Sequence, residues 1–234
     1  MRVLVTPDYQ ALSEEAAAIL AKSIKAKPTI TLGLPTGRTP LGMYKELIRK
    51  HRSQELDFSR VRTFNLDEYL GVSAEDPRSF HAYMHYQLFD HINITSENTQ
   101  IPDGVPAGDP TVECERYENM IPQSGGIDLL IVGIGANGHI AFNEPGSSFE
   151  SRTRVVTLAP ETIQNAGTDI PHNAITMGIG TILDAGRILL IASGAKKADI
   201  LRRAIRGPVS ETVPASALQR HSDVIVIMDE AAAL

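Results

Sequence analysis

Ile127-Asp128-Leu129-Leu130-Ile131-Val132 runs directly into Gly133-Ile134-Gly135-Ala136-Asn137-Gly138-His139-Ile140-Ala141-Phe142-Asn143-Glu144-Pro145-Gly146. The first six residues follow the pattern of a buried strand, so the loop leaves its carboxyl end, where open α/β sheets keep their ligand crevice. A His and a Glu, His139 and Glu144, then stand in a turn at that edge. Gly133, Gly135 and Gly138 spell G-x-G-x-x-G, but the dinucleotide fingerprint needs a helix at once and an acid about twenty residues on. Pro145-Gly146 stops any helix early, and the position where the acid would stand falls near Leu158, where no acid ends a strand. The glycines are read instead as a tight loop that brings backbone and His139 close to a small ligand.

Outward from this loop the chain alternates strand and helix patterns. Val3–Val5 reads as a short strand, and Ala11–Lys25 carries Leu12, Ala16, Ile19, Leu20 and Ile24 at helical spacing. Thr29–Leu34 is the next strand, and it runs into Pro35-Thr36-Gly37-Arg38-Thr39-Pro40 before Leu41, Tyr44, Leu47 and Ile48 mark a helix. Thr39 suits the N-cap of that helix and Pro40 its first turn. Val61–Leu66 is a third strand, and it delivers Asp67-Glu68-Tyr69 to the same sheet edge. Ser79 caps a helix through Phe80, Tyr83, Met84, Leu88 and Phe89, and a polar helix spans Pro110–Met120. Beyond the central loop, Arg154–Leu158, Ala174–Met177, Arg187–Ala192 and Val224–Met228 read as strands. Gly178–Leu183, Ala195–Arg206 and Pro214–Leu218 read as helices. This alternation predicts an α/β fold, a single domain over residues 1–234. Its open, mostly parallel sheet carries helices on both faces in a modified Rossmann-like arrangement.

Composition narrows the function. Hydrophobic residues at 42% and charged residues at 21% are those of a soluble globular protein, and no stretch looks like a linker. The net charge of −6 argues against a nucleic-acid partner, and any phosphate substrate must be held by local basic groups and helix ends. Cys114, the single cysteine, lies among polar and charged neighbours and can form no internal disulfide, which fits a reducing cytoplasm. Met1–Pro7 is too short an apolar run for a signal peptide, and no run of roughly eighteen apolar residues offers a membrane span. The expected setting is cytoplasmic, with a small-molecule partner and no membrane; the sequence leaves a homo-oligomer open.

Three features at the sheet edge carry chemistry. The glycine-bearing turn before the Leu41 helix presents free N–H groups and partial positive charge, a ready anion site, although it also serves as an ordinary βα turn. It is no Walker motif, because no G-K-[ST] ends it. Of Asp67 and Glu68 only one can face the crevice, since successive strand side chains alternate. Lys196 and Lys197 stand at a helix start, where positive charge opposes the macrodipole unless an anion sits there too, so one of them is a candidate phosphate ligand. His81 and His85 lie one helical turn apart, but no acid lies between them as in H-E-x-x-H, and no metal site is expected.

Taken together, these loops resemble the glucosamine-6-phosphate deaminase family over nearly the whole chain. The matching segments are Leu32-Gly33-Leu34-Pro35-Thr36-Gly37-Arg38-Thr39-Pro40, Phe64-Asn65-Leu66-Asp67-Glu68-Tyr69 and Gly135-Ala136-Asn137-Gly138-His139-Ile140-Ala141-Phe142-Asn143-Glu144-Pro145, in the family's order. The 6-phosphogluconolactonase family shares the fold but has Asp-Glu-Arg where this chain has Asp67-Glu68-Tyr69, and lacks the Phe-Asn-Glu-Pro ending. The resemblance implies conversion of glucosamine 6-phosphate and water to fructose 6-phosphate and ammonia, with no metal or organic cofactor. It implies His139 as the group that opens the sugar ring, Glu144 orienting it with Asn137 nearby, and Asp67 as the base at C2. The implied phosphate ligands are the Gly37 turn, the Thr39 hydroxyl and Lys197.

The chain departs from the family in three places. Asn137 stands where some members have Asp, which leaves the assistance to His139 resting more on Glu144. Asn165-Ala166 is followed by Gly167 where many members carry a phosphate-binding Arg, and Arg38 is the expected substitute cation. Members with an N-acetylglucosamine 6-phosphate effector site use a basic pair and a carboxyl-terminal extension. Here Arg154 remains, Val156 replaces the second base, and the chain stops at Leu234. No allosteric activation is expected; sigmoidal kinetics abolished by that effector would contradict this. Competing expectations are galactosamine 6-phosphate as substrate, hydrolysis of a sugar-phosphate lactone, and a non-catalytic sugar-phosphate sensor. Such sensors are normally fused to a DNA-binding unit, for which there is no spare length.

Overall fold

Alternation along the central strands decides which side chains meet which helices. A computed structural model describes residues 1–166 and 170–233. Its main sheet is built from β1 (Arg2–Thr6), β2 (Thr31–Leu34), β3 (Arg62–Asn65), β5 (Thr99–Gln100), β6 (Leu129–Val132), β9 (Ile188–Ala192) and β10 (Val224–Asp229). These seven strands run parallel in the order β1-β10-β9-β6-β2-β3-β5. Leu129, Ile131, Leu189, Ile191, Ile225 and Ile227 pack on one face with α1 (Tyr9–Ala26), α2 (Leu41–Arg52) and α3 (Phe80–Gln87). Leu130, Val132, Ile188, Leu190, Val226 and Met228 pack on the other, with α4 (Pro110–Gln123), α6 (Ile179–Leu183) and α7 (Ala198–Arg206). Each such residue, fully buried, contributes roughly 1.5–3 kcal/mol of transfer free energy, which is why a chain with continuous apolar strands adopts a doubly covered sheet. Gly33 is needed in β2, because a Cβ there would lie 2.7 Å from the Leu130 side chain on the neighbouring strand.

β2 and β6 are neighbours, yet the chain continues from β2 to β3 on one side and from β6 to β9 on the other. The crevice at their carboxyl ends is therefore a topological switch point, the usual place for a ligand in an open α/β sheet.

A second sheet sits above that edge. β4 (Asp67–Tyr69), β8 (Asn173–Thr176) and β7 (Arg154–Thr157) pair antiparallel, with Asp67 opposite Thr176. The two strands expected at 154–158 and 174–177 thus exist but do not extend the parallel sheet. Among the described residues the one helix between them is the seven-residue α5 (Pro160–Ala166), and they pair as antiparallel neighbours. Tyr69, Phe80 and Phe142 fill the space beneath, with ring centroids 4.6–6.0 Å apart.

One local expectation is corrected. Thr39 does not cap α2: Pro40 already has helical dihedrals and holds the cap position, and no side chain bonds the first amides. Cys114 is buried on the inner face of α4 with Tyr117 and Ile121, while keeping the charged neighbours Asp109, Glu113 and Glu115 that the sequence gives it. Ser79 caps α3 as expected, accepting from the Ala82 N–H at 2.9 Å.

Candidate active site

The four loops singled out by the sequence leave the carboxyl ends of β9, β6, β2 and β3, which are consecutive in the sheet. At about 4.8 Å per strand, their origins lie within roughly 15 Å of one another.

After β2, the turn 35–40 needs Gly37 in the left-handed region, φ +96°. The N–H groups of Thr36, Gly37, Arg38 and Thr39, and the Thr39 hydroxyl, have no acceptor or donor partner among the described residues. Such a row of free donors ahead of a helix amino end suits an oxyanion. Arg38 is exposed beside it.

After β3, strand alternation sends Asp67 and Glu68 to opposite sides. Glu68 is buried and accepts N–H bonds from Tyr69, Phe80 and His81 at 2.7, 2.9 and 2.9 Å, so it closes the amino end of α3. Asp67 is 6% exposed and its carboxyl has no partner among the described residues. Burial, and then the Glu68 charge, push the Asp67 carboxyl up to about 8. Burial raises Glu68 as well, but its three N–H donors favour the ionised form. Of the two acids Glu68 therefore ionises first, and Asp67, titrating at about 8, keeps an ionised fraction near neutral pH that can act as a base of raised basicity.

After β6, the loop is tight enough that a Cβ on Gly135 would fall 2.2–2.4 Å from the His139 ring, and Gly138 takes φ +92°. Glu144 is the hub. It accepts from Asn137 Nδ2 at 2.6 Å and from Thr162 Oγ1 at 2.5 Å, and its Oε2 lies 3.5 Å from His139 Nδ1. At that distance the last contact is an electrostatic approach rather than a formed hydrogen bond. Burial opposes the Glu144 charge, but His139, Thr162 and Asn137 outweigh it and bring the carboxyl down to about 2. Glu144 is therefore a fixed negative charge beside an imidazole.

The loop is locked from below. Asn143 is fully buried, donates to the carbonyls of Ile140 and Met177, and accepts from Arg154 at 2.8 Å. Phe142 N–H donates to Thr176 Oγ1, the residue paired with Asp67 across the small sheet. After β9, Asp229 accepts from Ser193 Oγ and the Gly194 N–H, and the half-buried Lys197 donates to the Ile134 carbonyl at 2.7 Å. Burial lowers the Lys197 ammonium.

Every candidate residue thus stands on this edge: Asp67, Asn137, His139, Glu144, Gly37, Arg38, Thr39 and Lys197. Gly167 lies outside the described residues. Sequence reading missed Thr162, Asn143, Thr176 and the capping role of Glu68. Thr162 carried no signal at all, standing 18 residues from Glu144 with no periodic relation to it. His81 and His85 stack at 4.6 Å, and His85 lies 2.8 Å from Asp90. A separate cavity of about 250 Å³ borders Glu118, Ile121, Arg152, Thr181 and Asp184 and contains none of the candidate residues. Its Glu118 is already bonded by Thr153, Thr181 and Arg152.

With this geometry in view, the chain was compared with known proteins. Residues 8–227 match the family model described as glucosamine-6-phosphate isomerases/6-phosphogluconolactonase. The chain belongs to this family. A relative from Thermoanaerobacter pseudethanolicus, named glucosamine-6-phosphate deaminase, is 49% identical over 100% of this chain and 94% of its own length. Among solved structures, a monomeric glucosamine-6-phosphate deaminase superposes with a TM-score of 0.97 at 48% identity, covering 100% of this chain and 99% of that one. The 6-phosphogluconolactonase from Trypanosoma cruzi gives a TM-score of 0.81 at 23% identity, over 99% of this chain and 95% of that one, a likeness of fold. The two kinds of protein named in the family thus share a fold, and this chain's sequence likeness is to the deaminases.

Proposed function

We propose that this chain converts glucosamine 6-phosphate and water to fructose 6-phosphate and ammonia. The observation that carries the proposal is a buried, partnerless Asp67 carboxyl at the same sheet edge as the His139–Glu144–Asn137 group. Relatives named as glucosamine-6-phosphate deaminases, matched over the whole chain, support it.

His139 moves the C1 hydroxyl proton to the ring oxygen, which breaks the C1–O5 bond and gives the open-chain aldehyde. The Glu144 charge, set 3.5 Å from Nδ1, stabilises the imidazolium formed in passing and holds the ring in place. Asp67 removes the C2 proton as the substrate's ammonium gives up one proton that ends on O1, leaving an enolamine, and Asp67 returns its proton at C1, which makes C2 the iminium carbon. Water adds at C2, the C–N bond breaks, and ammonia leaves, giving the ketone. Each step is a proton transfer, a hydration or an elimination, so the balance needs no electron carrier. The 6-phosphate is held by the N–H groups and Thr39 hydroxyl of the turn, by Lys197, and by Arg38 in place of the family's usual Arg. No described helix is long and apolar enough to cross a membrane, which fits work on a sugar phosphate in the cytoplasm.

The test is an assay of ammonia and fructose 6-phosphate from glucosamine 6-phosphate, with Asp67→Asn and Arg38→Ala beside the parent. Equal amounts of both products are expected. Asp67→Asn should lose about 10²–10⁴-fold in kcat, while Arg38→Ala should raise KM with kcat nearly kept. A folded parent that turns over only galactosamine 6-phosphate or a sugar-phosphate lactone would overturn the substrate assignment.

A further inference from the structure

The turn 35–40 is held from behind by three tyrosine hydroxyls, each from a different helix. Tyr44 of α2 donates to the Pro35 carbonyl at 2.5 Å, and Tyr83 of α3 donates to the Gly37 carbonyl at 2.6 Å. Tyr9 of α1 donates to the Thr39 carbonyl at 3.0 Å and lies 3.3 Å from that of Arg38, while accepting the Gly42 N–H at 2.8 Å. Tyr9 reaches this far only because α1 and α2 cross closely at Gly42, where a Cβ would fall 2.1 Å from Ser13 Oγ and 3.1 Å from the Tyr9 hydroxyl.

A trans peptide points its carbonyl and the next residue's N–H in opposite directions, and the described residues contain no cis bond. Fixing the carbonyls of Pro35, Gly37 and Arg38 therefore aims the N–H groups of Thr36, Arg38 and Thr39 away from the tyrosines. Those N–H groups have no acceptor among the described residues. A phenylalanine would fill the apolar space around each ring equally well, so the hydroxyls serve the turn rather than the core.

We propose that Tyr9, Tyr44 and Tyr83 are positioning residues for phosphate recognition, their hydroxyls holding the turn's peptide units so that the N–H groups of Thr36, Arg38 and Thr39 face one oxyanion. This rests on the reading that the turn receives the substrate's phosphate. The tyrosines never touch substrate; they remove the freedom of the turn to rotate its carbonyls toward the anion, where they would repel it.

The experiment has two parts. Backbone amide resonances of Thr36, Gly37, Arg38 and Thr39 are followed in the parent while inorganic phosphate is added, and the same titration is repeated on Tyr9→Phe, Tyr44→Phe and Tyr83→Phe. KM and kcat for glucosamine 6-phosphate are measured on all four proteins. The parent amides should shift on titration. Loss of one hydrogen bond should weaken phosphate binding and raise KM about three- to ten-fold per variant, with kcat falling by less than that. Tyr44 is fully buried, and should its variant not fold, the more exposed Tyr9 and Tyr83 carry the test. Parent amides that respond, together with folded variants of unchanged KM and phosphate affinity, would overturn the positioning role alone. Parent amides that ignore phosphate would overturn the phosphate reading, and this inference with it.

Discussion

Asp67 and Glu68 are adjacent in sequence, alike in chemistry and opposite in task. The difference comes from three backbone donors that reach Glu68 and none that reaches Asp67. Tyr69 and Tyr117 also couple to Asp67, but both are held protonated by burial, which leaves Glu68 as the charge that Asp67 feels. Glu68→Gln should then lower the Asp67 midpoint and move the acid limb of kcat/KM to lower pH, whereas a purely structural loss would reduce the amplitude without moving the limb. The same raised midpoint has a stability cost with a definite sign. A carboxyl that titrates near 4 in the unfolded chain and at about 8 when folded keeps its proton in the native state across that window. The unfolded state binds fewer protons there, so stability falls as pH rises from about 4 to 8. Asp67→Asn should match the parent in melting temperature near pH 4 and exceed it by several degrees at pH 8–9.

Elements set what these residues can reach. α5 is short and lies between β7 and β8, yet its Thr162 supplies one of the two hydrogen bonds on Glu144. Thr162→Val should leave an acceptor unpaired, raise the Glu144 carboxyl from its low value and cut kcat about ten-fold, with little change in KM. Restoration by Thr162→Ser would separate a positioning role from simple packing. α3 shows how far sequence reading extends: Ser79 and the apolar periodicity of Phe80, Tyr83 and Met84 define the helix. Its second anchor, Glu68, comes from another strand and has no local signature. For the same reason the 154–157 and 173–176 strands were legible as strands but not as a separate sheet. Propensity reports extended backbone, whereas partner choice depends on contacts between distant segments such as the Asp67–Thr176 register.

At the scale of the whole molecule, the mostly parallel sheet and the loops gathered at its carboxyl edge were legible, because they rest on apolar runs ending in glycine-bearing loops. What stayed hidden was side-chain wiring between loops distant in sequence, such as Asn143 to Arg154 and Lys197 to Ile134. That wiring also shapes the field. Lys27, Arg49, Arg116, Arg187 and Arg202 pair with carboxylates. Arg154 and Lys197 have only amide, hydroxyl and carbonyl partners among the described residues. A chain of net charge −6 thus keeps these two cations without a carboxylate partner, one of them the Lys197 proposed to hold the substrate's phosphate. Field lines focused there should speed encounter, and salt should slow it as the screening length shrinks from about 30 Å at 0.01 M to about 8 Å at 0.15 M. Rapid-mixing measurements across that range should show kcat/KM falling while kcat holds, and a flat profile would mean that the two cations act only at contact. A falling profile would mean that these cations set how fast substrate arrives, beyond the hold of Lys197 on its phosphate.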